Sequence, residues 1–266
     1  MTILSPTVRQ VVKYQLRDVI RSRWLIAYAL FFLLVTDALL RFGGGEKALL
    51  SLMNVVLFIV PLVNVVFGTI YLYNAREFIE LLLAQPVTRR QLYAGLYLGL
   101  TLPLALAFVV GIGVPFAMHG LGDAAQRGTL AALAGVGVAL SLVFTALAFV
   151  IAGRTDDRAR GLGAAIGVWL FSAVLYDGLV LVLAMLFGDY PIERPMLALM
   201  LTNPVDLARV LLLLRFDVSA LMGYTGALFQ QFFGGVGGSA IAAAALALWV
   251  AVPVGLGLRS FQKRDF

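Results

Sequence analysis

Asp177, Asn54 and Asn64 stand inside long apolar stretches of this chain, and a block of charge stands between two of those stretches. Asp177 lies in Leu175-Tyr176-Asp177-Gly178. An ionised carboxylate at the centre of a hydrocarbon layer costs about 2.5–3.5 kcal/mol. Two readings follow: Asp177 lines a pathway, binding substrate or passing a proton, or it is neutralised by protonation or by a neighbour such as Tyr176 or Asn64. Asn54 and Asn64 are the other candidate pathway residues; their spacing puts them on different azimuths of one helix, so both cannot line one pore. One of them packs against a neighbouring helix. Asp37 sits near the end of its apolar run and reaches the interface. The charged block holds Arg76, Glu77, Glu80, Gln85, Pro86, Arg89 and Arg90. Glu77 and Glu80 lie one helical turn apart, placed for charge-assisted bonds to a partner's Arg or Lys.

Other chemistry is excluded by what the sequence lacks. Gly43-Gly44-Gly45-Glu46-Lys47 has neither the spacing nor the Ser/Thr of a nucleotide-binding Walker A loop. One histidine, His119, and no cysteine leave no ligand set for a tight metal site and no disulfide. Met196 and Met200 stand one turn apart, a spacing that serves packing more readily than a soft ion. No paired carboxylates suggest a hydrolytic centre. The chain is therefore read as non-enzymatic and without a cofactor of its own.

These residues must be positioned by membrane helices. Hydrophobic residues make up 62% of the chain and charged residues 13%, far from the roughly 45–50% and 25% of soluble domains. Six apolar runs, 24–40, 48–72, 95–118, 129–152, 162–187 and 239–258, approach or exceed the roughly 20 residues that cross a hydrocarbon core. Only Asp37 and Asp177 carry charge within them. Nothing alternates with period two, so helices and not a barrel are expected. The fold class is all-α, polytopic, with a single transmembrane domain over 1–266.

With both termini in the cytoplasm, the outer connections hold only Arg41, Lys47, Arg127, Arg194, Arg209 and Arg215 of the 20 Lys and Arg residues. The net charge of +6 is thus a topology signal and not evidence for nucleic acid. The first run lacks a small-residue cleavage site and reads as a retained anchor. Before it, residues 6–23 put Val8, Val11, Val12, Leu16 and Val19 on one face and Arg9, Lys13, Arg17 and Arg21 on the other, which predicts an interfacial elbow helix against lipid headgroups. A positive flank that happens to be helical is the alternative.

Segment 188–238 is expected outside the membrane. Within it Asn203-Pro204-Val205-Asp206 predicts a helix start running to about residue 215, and 221–233 predicts an interfacial or re-entrant piece. A seventh span there would move the C-terminus outside, against its basic tail. The block at 74–92 predicts a helix whose Phe78, Ile79, Leu82 and Leu83 face the membrane, a break at Pro86, and a restart capped by Thr88.

At Glu80-Leu81-Leu82-Leu83-Ala84-Gln85-Pro86-Val87-Thr88-Arg89 the chain resembles ABC-2 transporter permeases, which carry Glu-Leu-Leu-x-x-Pro-x-x-Arg between their second and third spans. Asn203-Pro204-Val205-Asp206-Leu207-Ala208-Arg209 resembles a late Asn-Pro-x-Asp-x-x-Arg element of the same class. Phe261-Gln262-Lys263-Arg264-Asp265-Phe266 resembles its Phe-x-x-x-Asp ending. Gly95-Leu96 departs from the Gly-Lys that often opens the third helix. Glu77-Phe78-Ile79-Glu80-Leu81-Leu82-Leu83-Ala84-Gln85-Pro86 is most similar to the NosY-type permeases of nitrous oxide reductase maturation.

The resemblance implies a half-transporter in the bacterial inner membrane that pairs with a second copy of itself. Each copy would dock a cytoplasmic ATPase, which carries ATP and Mg, through the Glu77–Arg90 region. In the NosY type a periplasmic accessory protein would accept a sulfur or copper species. An exporter of a lipid, drug or peptide is the alternative, and a non-transporting scaffold or channel is a second.

Overall fold

The computed structural model describes residue 19 and residues 22–84, 87–120, 122–187, 198–213, 215 and 236–263. The predicted elbow helix (apart from residues 19, 22 and 23), Gln85 and Pro86, Met196 and the 221–233 piece lie outside the described residues. Every regular element described is helical. They are α1 (Arg23–Gly43), α2 (Gly45–Asn74), α3 (Arg76–Leu83), α4 (Arg89–His119), α5 (Ala124–Arg154), α6 (Arg158–Leu170), the π-turn π1 (Phe171–Leu175), α7 (Tyr176–Leu186), α8 (Pro204–Leu213) and α9 (Val236–Lys263). Six helical stretches, with α6, π1 and α7 running on as the fifth, are long and apolar enough to cross a membrane.

The helices overrun the predicted apolar runs at most ends. Their charged and capping residues keep helical geometry beyond the hydrocarbon limits that hydropathy detects. Thr88 accepts from the Gln91 amide while the Gln91 side chain accepts from the Thr88 amide, both at 3.4 Å, a capping box that starts α4 after the break. Asp123 and Asp157 cap α5 and α6 through bonds of 2.8 Å.

α5 is the hub of the bundle: α2, α4, α8 and α9 all pack on it, and α1 packs chiefly on α4. Lipid gives no hydrophobic drive for helix association, so close approach of small residues must supply dispersion contact. At Gly111 of α4 an added Cβ would come within 2.7 Å of the Phe32 Cβ and 2.9 Å of the Ala29 carbonyl oxygen, so glycine is what lets α1 and α4 touch. Polar glue joins α2 to α5. Asn64, fully buried, donates to the Val60 carbonyl (2.8 Å) and Ser141 Oγ (3.3 Å) and accepts from Thr145 Oγ1 (3.2 Å).

One end of the bundle gathers Asn74, Arg89, Arg154, Arg158 and Lys263, since the connections there bond to one another; we call it the basic end. Phe261 of the C-terminal element is buried there edge-on to Tyr93, with ring centroids 5.7 Å apart. At the opposite end Asp37 pairs with Arg41 (2.7 Å) and faces His119 Nε2 (3.5 Å), linking α1 to α4.

Candidate functional site

Two regions carry the polar chemistry, one at the basic end and one at mid-height. At the basic end α3 is an amphipathic helix of eight residues. Ile79 is fully buried, while Glu77, Glu80, Leu81 and Ala84 form an exposed stripe at helical spacing. Phe78 is 38% exposed beside that stripe. The helix is too short to bury all its apolar residues while keeping Ile79 in the core. The result is an outward surface that combines two carboxylates with Phe78 and Leu81.

The basic residues of the predicted coupling set divide. Arg76 donates to the Thr155 carbonyl (3.3 Å) and pairs with Asp156 (3.4 Å). Arg89 donates to the Gln262 carbonyl (2.8 Å), tying the start of α4 to the end of α9. Arg90 is exposed. Two of the three arginines therefore hold the permeation bundle's own connections together.

At mid-height lies an ionic cluster that the sequence did not assemble. α6, π1 and α7 form one continuous rod, with Ser172 at its midpoint and Asp177 just beyond. Arg209 Nη1 lies 2.8 and 2.7 Å from the two oxygens of Asp177 and 3.3 Å from Asp206 Oδ1. Asn203 Nδ2 donates to the Ser172 carbonyl (2.8 Å) and to Asp206 (3.1 Å), and Asn203 Oδ1 caps the Val205 amide (3.1 Å). The π-turn re-aims the carbonyls of the rod, and Ser172 offers one of them to Asn203. Tyr176 donates to the Leu199 carbonyl (2.7 Å), and Trp249, midway along α9, donates to the Leu201 carbonyl (3.0 Å).

Segment 188–238, expected outside, thus sends its described part back into the bundle. Val205, Leu207, Ala208 and Leu212 of α8 are buried against α2, α5, α9 and π1. Packing of this apolar face against the bundle carries Asp206 and Arg209 in with it. The neighbour that neutralises Asp177 is Arg209, not Tyr176 or Asn64. Asn54 is exposed and lines a lateral groove with Phe31, Phe58, Ala173 and Arg209, close to the ion cluster. Asn64 is remote from that groove, held between α2 and α5.

Residues 35–266 match the family described as ABC-2 family transporter protein. The chain belongs to the ABC-2 family of transporter proteins. Among similar proteins is the probable ABC transporter permease protein NosY of Pseudomonas aeruginosa, 29% identical over 276 residues that cover 97% of this chain and 99% of the relative. The protein of that name from Stutzerimonas stutzeri is 28% identical over 227 residues, covering 79% of this chain and 82% of the relative.

This ABC-2 protein is a multi-pass membrane protein and a transport component. Among its polar residues, sequence reasoning missed Asp206 and Arg209 as members of the mid-height cluster. Their i, i+3 spacing after a helix-starting Asn-Pro was a usable signal. It also missed Tyr73 and Thr155 at the basic end, for which no local signal exists.

Proposed function

We propose that this chain is the membrane-spanning permease subunit of an ATP-binding-cassette exporter, working as a homodimer in a bacterial inner membrane with both termini in the cytoplasm. A separate ATPase, carrying ATP and Mg, docks on the exposed stripe of α3 from the cytoplasmic, basic end. The observation that carries this reading is that stripe: Glu77 and Glu80 beside exposed Phe78 and Leu81, rigidly seated through Ile79. Carboxylates bordered by apolar surface suit a partner surface that offers Arg or Lys around a hydrophobic contact. The cargo is a sulfur or copper species for the copper centre of nitrous oxide reductase, passed to a periplasmic accessory protein. Similarity to two permeases named NosY, one of them over nearly its full length, supports that choice. Asp177, Arg209 and Asn54 border the pathway.

Co-expression with the ATPase encoded beside it, followed by mass measurement in detergent, is expected to give two copies of this chain with two ATPase chains. A stable monomer without bound ATPase would overturn the assembly. For the cargo, deleting the gene in its host is expected to leave nitrous oxide reductase folded but without a complete copper centre. A fully loaded reductase in the deletion strain would reject the cargo and leave the permease reading standing.

A further inference from the structure

We propose that Tyr73 is a positioning residue that passes movement of α3 to the fifth span through the Thr155–Asp157 connection. This rests on the reading that the ATPase docks on α3.

Tyr73 stands in the last turn of α2, two residues before the buried Ala75 corner that opens α3. Its hydroxyl lies 2.9 Å from the Thr155 carbonyl and 3.3 Å from the Asp157 carbonyl. Arg76, the first residue of α3, reaches the same Thr155 carbonyl, and its guanidinium carbon sits 5.1 Å from the centroid of the Tyr73 ring. Phenol and guanidinium therefore hold the connection as one unit. That connection is three residues long and has no slack. Asp157 at its far end caps α6.

The ring also bears directly on α6. Gly161, in its first turns, is buried, and a Cβ there would fall 2.0 Å from the Tyr73 hydroxyl. No other side chain fits between them. Beyond this contact few side chains of the fifth span are buried, Gly161, Ala165 and Tyr176 among those described, and at mid-height it is held by the bonds of Ser172, Tyr176 and Asp177. Trp169 adds one bond to the Phe58 carbonyl (3.0 Å). A span with so few side chains anchored in its own subunit follows its firm attachments, and the attachment nearest α3 is Tyr73. A displacement of α3 by the ATPase thereby reaches α6 through the last turn of α2 and the connection after α5, and not through the buried α2–α5 interface around Asn64. The mid-height ion pair rides on the same rod.

The chain has no cysteine, so one spin label at Ala164→Cys, an exposed position on α6, reports the distance between the two copies in the intact complex. The parent complex is expected to change that distance between the ATP-free state and the vanadate-trapped state. Tyr73→Phe keeps the ring and removes the hydroxyl; ATPase binding and ATP turnover should stay at parental level while the distance change is abolished. Gly161→Ala, which displaces the ring instead, should give the same signature. A full distance change in both variants would overturn the relay. A parent that binds ATPase, turns over ATP and shows no change at Ala164 would overturn it too and leave the docking reading intact. Loss of ATPase binding in Tyr73→Phe would assign Tyr73 to the docking surface and reject the relay. A parent that binds no ATPase would reject both readings.

Discussion

Arg209→Met is expected to destabilise the permease by about 3 kcal/mol, the lower end of the cost of leaving one charge of a buried pair uncompensated. Methionine keeps the unbranched, apolar stem, so the loss is of charge and hydrogen bonds and not of volume. Asp177 would then stand just past the midpoint of its span with no cation, and Asp206 would keep the Asn203 amide as its hydrogen-bond donor. The lower end applies because the side chain of Asp177 is 41% exposed. Asp177→Asn alone should be milder, since Arg209 retains Asp206 at 3.3 Å. Combining Arg209→Met with Asp177→Asn should recover part of the stability, because the amide at 177 brings no charge to strand while Asp206 still lacks its cation. Thermal unfolding in detergent, followed by size exclusion, reads all three variants. Equal midpoints for parent and Arg209→Met would show that the pair contributes nothing to the fold. Transport by the rescued double variant at the parental rate would remove Asp177 and Arg209 from the pathway.

Glu80→Lys is expected to detach or uncouple the ATPase while the permease still inserts and dimerises. Glu80 is exposed and points away from the buried Ile79 contact, so the fold has no need of its charge. A charge-assisted bond to the partner is worth about 1.5–3 kcal/mol, roughly a tenfold to hundredfold change in binding. A lysine adds repulsion against the cation it would meet. Co-purification of the ATPase and ATP turnover in lipid are the readouts. Parental binding and turnover by this variant would mean that the coupling surface lies elsewhere. Arg89→Ala is not an equivalent test, because Arg89 ties α4 to the Gln262 carbonyl and its loss acts through the bundle.

What the sequence determined was everything that depends on neighbours within a turn or two and on the solvent. Apolar runs crossed by only two charges had to be membrane helices, because lipid leaves no partner for an open backbone. Thr88 and Asn203 cap helices within three residues of themselves, so local chemistry located those starts. The motif at Glu80–Arg89 marked the region of α3. The tertiary structure decided which distant residues meet. Arg209 reaches Asp177 because α8 packs its apolar face into the bundle interior. Asn64 leaves the pathway set for a bond to Ser141 and Thr145, because the rotation of α2 against α5 is set by small residues along both helices. Tyr73 and Arg76 find the connection after α5 for the same reason. Hydropathy reports how deep a residue lies along its own helix, and helix azimuth, which selects the partners, is settled only when all the faces pack at once.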